Sequence, residues 1–293
     1  MTTTARDAAR VGPVLRNAMV RLLAAGLATA RQDAEMLLAH VLDAPRVALL
    51  LDPGRPVGAR ALARAEALLA RRAGHEPLQY ILGGEKFRGL RIAVGPGVFI
   101  PRPETELLVE RALAVCPEGA AVALDLCAGS GVVACGLARE RPRLVVWAVE
   151  LSPQAAAWGR INVERLGVAD RVRVLEGDLF GPLAGRGLER ACDLVVANPP
   201  YIARPALAAL PEEVRDWEPV LALDGGPDGV SVIGRILTVA PAFARPGGRV
   251  LLEIGHDHAS RLRAHLAGDA RYGPPAFHRD LLGHERVLEL EVR

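Results

Sequence analysis

Lysine is almost missing from this 293-residue chain: Lys86 is the only one, and arginine carries the rest of the basic charge. Aromatic residues make up 4% while Ala, Arg, Leu and Gly are abundant, a bias that points to GC-rich coding rather than to function. Cysteine is sparse. Cys116, Cys127, Cys135 and Cys192 show no Cys-x-x-Cys spacing, which argues against a zinc site or a disulfide framework. No run of about 18 apolar residues occurs, and Met1 to Arg10 has no apolar stretch behind its charges, so neither a membrane span nor a signal peptide is readable. Charge of one sign is lacking as well: the net of +2 does not demand a nucleic-acid partner. The expectation is a reduced, metal-free, cytoplasmic protein.

What the chain does have is apolar content, 51% of its residues, enough for one large domain and a smaller one. Charge is uneven. Residues 1–72 hold eleven Arg against six Asp or Glu, a net of +5, read here as solvated helix faces in preference to a docking site for an anionic macromolecule. From Val14 to Gly74 apolar positions recur at helical spacing, as in Leu15, Met19, Leu22 and Leu23, or Leu62, Ala65 and Leu69. Breaks at Asp43-Ala-Pro45 and Asp52-Pro-Gly54 divide this stretch into short amphipathic helices. Residues 1–84 are therefore expected to form a small helical domain. Residues 85–98, with Gly89, Gly95, Pro96 and Gly97 around Leu90–Val94, read as a hairpin linker. Beyond Phe99 strand-like runs alternate with helical ones: Val122–Leu126, Val145–Val149, Val172–Leu175, Leu194–Ala197, Val250–Ile254 and Val287–Val292. Such alternation predicts a doubly wound, Rossmann-like parallel α/β sheet over residues 99–293, with ligands at the carboxyl ends of its strands.

Three motifs fall at such ends. Asp125-Leu-Cys-Ala-Gly-Ser-Gly131 closes the first strand and opens a helix, where glycine allows a ligand to approach the backbone closely. Glu150 closes the next strand, 19 residues after Gly131, where a carboxylate can accept from two ribose hydroxyls. The loop also fits the loose dinucleotide fingerprint. Asp125, placed to face a cationic ligand, and Asp178, after the third strand, turn the reading away from nicotinamide. Asp178 can accept from an adenine amino group or simply cap the turn that follows.

The third motif, Asn198-Pro-Pro-Tyr201, follows the fourth strand. Proline fixes its own φ and holds the residue before it extended, so Asn198 is presented at the strand's end. The Asn198 side-chain carbonyl and the Pro199 backbone carbonyl supply two acceptors suited to the two hydrogens of a planar NH₂ group. Such a nitrogen is a poor nucleophile because its lone pair is delocalised, by the conjugation that sets the roughly 18–20 kcal/mol barrier to amide rotation. Two acceptors draw charge onto it and aim it. Tyr201 can stack on the planar group, and the prolines limit the freedom lost on ordering the site. No strong base is required, since a nitrogen that has accepted a methyl group loses its proton easily. Methyl transfer from a sulfonium donor fits each part.

With these residues in chain order, the sequence resembles the release factor glutamine methyltransferases, often called PrmC or HemK. The resemblance covers nearly the whole chain and rests also on Glu76–Gly83, on Phe99–Glu106 with its Pro101-Arg-Pro-Glu-Thr105, on Glu218–Gly226 and on Asp280–Val287. It implies that S-adenosylmethionine is held by Asp125, Cys127, Ala128, Gly129, Ser130, Gly131, Glu150, Asp178, Leu179 and Asn198. It implies catalysis by Asn198, Pro199 and Tyr201, with Pro200 beside them in the substrate site. The substrate implied is the glutamine of the Gly-Gly-Gln motif in peptide chain release factors, docked by the helical domain of a monomer without direct DNA or membrane contact. Two residues depart from the pattern. Cys127 stands where the family loop has glycine, tolerable if φ there is negative, and His258 replaces a glutamine in Glu253-Ile-Gly-His-Asp-His258. His256 and His258 are read as part of a solvated turn and not as metal ligands.

Asn-Pro-Pro-Tyr is shared with adenine-specific DNA methyltransferases, but the basic target-recognition region that gripping DNA requires is not evident after Tyr201. A ribosomal-protein glutamine methyltransferase is the nearer alternative, with the same chemistry on another protein. A nicotinamide-dependent oxidoreductase and a cofactor-binding module without turnover are the rivals from other classes.

Overall fold

The computed structural model describes residues 9–293, so all of the Met1–Arg10 stretch except Ala9 and Arg10 lies outside the described residues. The chain divides into two compact units: residues up to Gly83 together with Glu212–Trp217, and Gly84–Pro211 together with Glu218–Arg293.

In the first unit a two-residue strand, β1 (Ala9–Arg10), precedes α1 (Val11–Ala24), α2 (Ala30–Val41) and α3 (Arg46–Leu51). Strand β2 (Pro56–Val57) pairs with β1, and α4 (Ala59–Ala73) and α5 (Leu78–Leu82) follow. The helical spacing read from the sequence marks the buried stripe: Leu22, Ala34, Leu37, Leu69 and Ile81 form one apolar cluster. Pro45 ends the loop after α2 and is the N-cap of α3. One charge on α4 is internal. Arg72 is 3% exposed and donates to Asp33 at 2.7 Å and to the Glu76 carbonyl at 3.0 Å. Arg72 also pairs with Glu213 at 2.8 Å, so it is Asp33, 3% exposed, that loses its cation if Arg72 is replaced, a loss of about 3–5 kcal/mol.

The second unit begins with the hairpin β3 (Glu85–Phe87) and β4 (Leu90–Ile92), then α6 (Thr105–Val115), β5 (Ala121–Leu126), α7 (Val132–Glu140), β6 (Leu144–Glu150), α8 (Pro153–Arg165), β7 (Val172–Glu176) and β8 (Cys192–Ala197). The short α9 (Glu212–Arg215) groups with the first unit. Next come α10 (Ser231–Phe243), β9 (Ala244–Glu253), α11 (Ala259–Leu266), β10 (Ala276–Arg279) and β11 (Glu285–Glu291). Seven strands form one sheet in the order β10-β11-β9-β8-β5-β6-β7. Strands β5 to β9 are parallel; the Val-, Leu- and Ala-rich runs of β5, β6, β8 and the end of β9 are buried because helices cover both faces, while β7, at the sheet edge, is mostly part-exposed.

The expected α/β sheet is thus present, with one difference. Strand β11 runs antiparallel to both β9 and β10. The chain reverses between β10 and β11 through the short turn 280–284, with no crossover helix to restore direction. Strand order changes sense between β5 and β8, and a doubly wound sheet opens a crevice at such a switch point.

Candidate active site

The crevice is a cavity of about 280 Å³ lined from the ends of β5, β6, β7 and β8 and by Phe99, Pro101 and Thr105. Each site residue read from the sequence lines it: Asp125, Cys127 to Ser130, Glu150, Asp178, Leu179 and Asn198 to Tyr201, with Gly131 at the back of the loop. Pro219 and Leu221 to Asp224 form a further part of its wall.

The glycine loop is held by side chains from outside it. Gly129 N–H donates to Glu150 Oε2 at 2.8 Å, and Ser152 N–H donates to Oε1 at 2.7 Å. Gly131 is the N-cap of α7 at φ +73, which suits glycine, and α8 presses close there through Gly159. Asn162 on α8 is fully buried and donates to the carbonyls of Ser130 and Ala93, both at 2.9 Å, while accepting from Ala93 N–H at 2.7 Å. Sequence reading missed Asn162, because a lone polar residue in a helix carries no signal of the loop it braces.

Cys127 adopts φ +56, not the negative value under which a side chain is readily tolerated there. The residue follows β5 directly, and the chain must turn left-handed there to reach Gly129. Its Cβ bears the strain that glycine avoids. Leu179, after β7, shares this conformation at φ +47, so two non-glycine residues of the pocket wall are left-handed. Burial pushes the Cys127 thiol pKa up, and the carboxylates of Glu150 and Asp125 push it in the same direction. It is a packing group and not a nucleophile.

The acids differ in burial. Asp125 is 1% exposed and accepts from Ala134 N–H at 2.9 Å; desolvation raises its pKa from 3.8 to about 7, a shift the Glu150 charge reinforces. Burial also raises Glu150, offset in part by its backbone hydrogen bonds. Asp178 is half exposed and pairs with Arg235 of α10 at 2.5 Å. The two bonds to Glu150 leave carboxylate lone pairs free for hydroxyls. With the glycine loop and the apolar Leu179 beside them, the residues present fit a bound nucleoside with a charged tail.

At the end of β8, Asn198 Nδ2 donates to Thr105 Oγ1 at 3.1 Å. Neither Asn198 Oδ1 nor the Pro199 carbonyl accepts a hydrogen bond from any described residue. Tyr201 is half-buried, its hydroxyl donating to Glu253 Oε1 at 3.3 Å and its ring edge-on to His258 at 6.4 Å. Residues 223–226 brace this corner: Ile202 N–H donates to the Leu223 carbonyl at 3.0 Å, and Gly225 N–H returns to the Ile202 carbonyl at 2.8 Å. A Cβ on Gly225 meets the Pro200 carbonyl and the Tyr201 Cα, both at 2.8 Å, so only glycine fits. Glu218, 4% exposed, accepts from Ile100 N–H at 3.1 Å and pairs with Arg102, fixing the Phe99–Pro101 wall.

His258 departs from the solvated turn expected of it. It is 3% exposed, packs against Gly229 and accepts from Gly255 N–H at 3.3 Å, and desolvation lowers its pKa. His256 is exposed. Among the described residues no group of three or more His, Cys, Asp or Glu side chains is arranged to hold a metal.

Strand order and site are those of an S-adenosylmethionine-dependent methyltransferase. Comparison with known proteins narrows this. Residues 14–83 match the PrmC N-terminal domain, and residues 91–213 match the methyltransferase small domain. A release factor glutamine methyltransferase of Cereibacter sphaeroides is 45% identical over 97% of this chain and 99% of that protein. One from Mycolicibacterium smegmatis is 42% identical over 95% and 96%. Among solved structures, the ribosomal protein L11 methylase of Lactobacillus delbrueckii subsp. bulgaricus superposes with a TM-score of 0.50 over 69% of this chain and 85% of that one, at 15% identity, a likeness of fold. The chain belongs to the release factor glutamine methyltransferases.

Three outcomes follow, two for stability and one for turnover. Cys127→Val is expected to destabilise by about 1–3 kcal/mol, because a β-branched side chain resists the left-handed region, whereas Cys127→Gly stays within about 1 kcal/mol of the parent; equal denaturant midpoints for both variants contradict this. Gly225→Ala, which must move Pro200 and Tyr201, is expected to reduce turnover more than tenfold with S-adenosylmethionine affinity nearly unchanged. Asp125 and Glu253 have folded pKa values of about 7, above their unfolded values of 3.8 and 4.5. The folded chain therefore retains protons that the unfolded chain has released, so stability falls as pH rises from about 4.5 to 7, by on the order of 1–3 kcal/mol per group. Carboxylates lowered by ion pairs, such as Asp269 and Glu285, act below that window. Urea midpoints of the ligand-free protein at pH 5.5 and 7.5 test this, and Glu253→Gln reduces the slope.

Proposed function

We propose that this protein transfers a methyl group from S-adenosylmethionine to the side-chain nitrogen of the glutamine in the Gly-Gly-Gln motif of peptide chain release factors. The observation that carries the reading is the pair of unengaged acceptors, Asn198 Oδ1 and the Pro199 carbonyl, on the wall of a nucleoside-sized cavity. A carboxamide NH₂ has two hydrogens for two such acceptors. The names of the relatives support a release factor over a ribosomal protein or DNA as the substrate.

Gly129 to Gly131, Glu150, Asp178 and Leu179 hold the cofactor, with Glu150 accepting from the ribose hydroxyls and Leu179 against the adenine. Asp125 and Cys127 close the pocket beneath the loop. S-adenosylmethionine supplies an electrophilic methyl group on a sulfonium centre. Asn198 and Pro199 accept the two amide hydrogens, draw charge onto the nitrogen and direct its lone pair. Tyr201, tied down by Glu253, packs against the carboxamide plane with Pro200 and excludes water. The methylated nitrogen is acidic and releases its proton to solvent, so no buried base is required. Residues 1–84 dock the release factor, residues 85–98 link them to the catalytic residues 99–293, and the protein acts as a cytoplasmic monomer without direct DNA contact. No helix among the described residues is long and apolar enough to cross a membrane.

Asn198→Ala is expected to lower kcat on a Gly-Gly-Gln peptide by roughly 100-fold or more while leaving S-adenosylmethionine affinity within about twofold. Mass spectrometry of the peptide and calorimetry of the cofactor read the two quantities. Wild-type turnover in the variant contradicts the role given to Asn198.

A further inference from the structure

An acid that contributes nothing to the pocket wall stands directly behind it. Glu253 ends β9 and is 1% exposed. Its Oε1 accepts from the Tyr201 hydroxyl, while its Oε2 is buried with no hydrogen-bond partner. A buried carboxyl oxygen without a donor is costly, and native proteins seldom leave one unexplained. The Thr105 hydroxyl, on the first residue of α6 and itself 1% exposed, lies beside this carboxyl and favours its ionised form. Thr105 Oγ1 already accepts from Asn198 Nδ2. A hydroxyl has one proton and two lone pairs, so Thr105 Oγ1 keeps a proton to donate while it accepts from Asn198.

One unengaged donor and one unengaged buried acceptor therefore lie side by side, one step removed from Asn198. We infer that Thr105 and Glu253 are positioning residues that fix which way the Asn198 carboxamide faces: Glu253 takes the Thr105 proton, Thr105 takes an Asn198 Nδ2 hydrogen, and Asn198 Oδ1 is left for the substrate.

The inference rests on the reading of Asn198 given above and adds what that reading lacks. The two ends of a carboxamide have almost the same shape, so packing alone does not choose between them; the polarity of the neighbours does. Turned over, Asn198 would point N–H groups at the N–H groups of the substrate glutamine. The relay prevents this once Glu253 is ionised, above about pH 7, because a carboxylate only accepts and each link passes that polarity forward. Charges facing Glu253 from the surrounding elements are Arg286 of β11, which favours the ionised form, and Glu104 ahead of α6, which opposes it. The Tyr201 hydroxyl donates to the same carboxyl, so one acid orders both the amide and the ring of the corner.

The test compares Thr105→Val, Thr105→Ser, Glu253→Gln and Asn198→Ala for kcat and KM on a Gly-Gly-Gln peptide, with cofactor Kd by calorimetry and Tm measured alongside. Thr105→Val keeps the shape and loses the hydroxyl, while Glu253→Gln keeps the shape and replaces one acceptor with a donor. Both are expected to lower kcat by roughly 10-fold to 100-fold, as losses of groups that orient a functional side chain do, with peptide KM and cofactor Kd within about twofold. Thr105→Ser restores kcat to within about threefold of the parent, which a packing role for the threonine methyl does not predict. Thr105→Val and Glu253→Gln at parental kcat beside an impaired Asn198→Ala overturn the relay alone, as does a serine variant no better than valine. An unimpaired Asn198→Ala overturns the reading of the corner itself, and the relay with it.

Discussion

A planar amide nitrogen attacks a carbon centre only when its lone pair is drawn out of conjugation, and the rest of this structure serves that requirement. Two oxygen acceptors must stand at a fixed spacing, dry and unengaged, where an NH₂ group can reach both. Folded proteins ordinarily satisfy their carbonyls, so a pair left open on a cavity wall has to be held open. Prolines do part of this. Pro199 and Pro200 have no N–H to close a turn, and they hold the chain extended as it leaves β8.

The corner is stiff because it is braced from several directions. Residues 223–226 pair with the chain just beyond Tyr201, and Gly225 lies so close to Pro200 and Tyr201 that any side chain displaces them. Glu218, in the same stretch, anchors the backbone of Ile100 and the charge of Arg102. Across the cavity, Glu150 and Asn162 hold the glycine loop through its own N–H and carbonyl groups. Strain concentrates there too, at Cys127 and Leu179, as it does where a backbone is bent towards a ligand.

How much of this was readable depended on the range of the signal. Strands β5, β6 and β8 announced themselves because both of their faces are buried, and their Val- and Leu-rich runs needed no partner to be recognised. Asn198 to Tyr201 and the glycine loop were legible because backbone chemistry is local. Strand β10, Ala276–Arg279, was not: it is short, partly exposed and defined by pairing with β11, which also sets the direction of β11. The sign of φ at Cys127 was beyond reach, since it is set by the turn the chain makes on leaving β5 for Gly129. His258 looked like a turn residue and is core, because the glycine that makes room for it, Gly229, lies in another part of the chain. Thr105 and Glu253 each stood inside a recognised motif, yet only the fold brings them together behind Asn198.

The account therefore stands on where the glutamine amide is held. A crystal structure of the enzyme with S-adenosylhomocysteine and a Gly-Gly-Gln peptide measures this directly. The account predicts the glutamine side-chain nitrogen within about 2.7–3.2 Å of both Asn198 Oδ1 and the Pro199 carbonyl, with Asn198 Nδ2 still on Thr105. A carboxamide bound elsewhere in the cavity, with those two oxygens facing water, contradicts it.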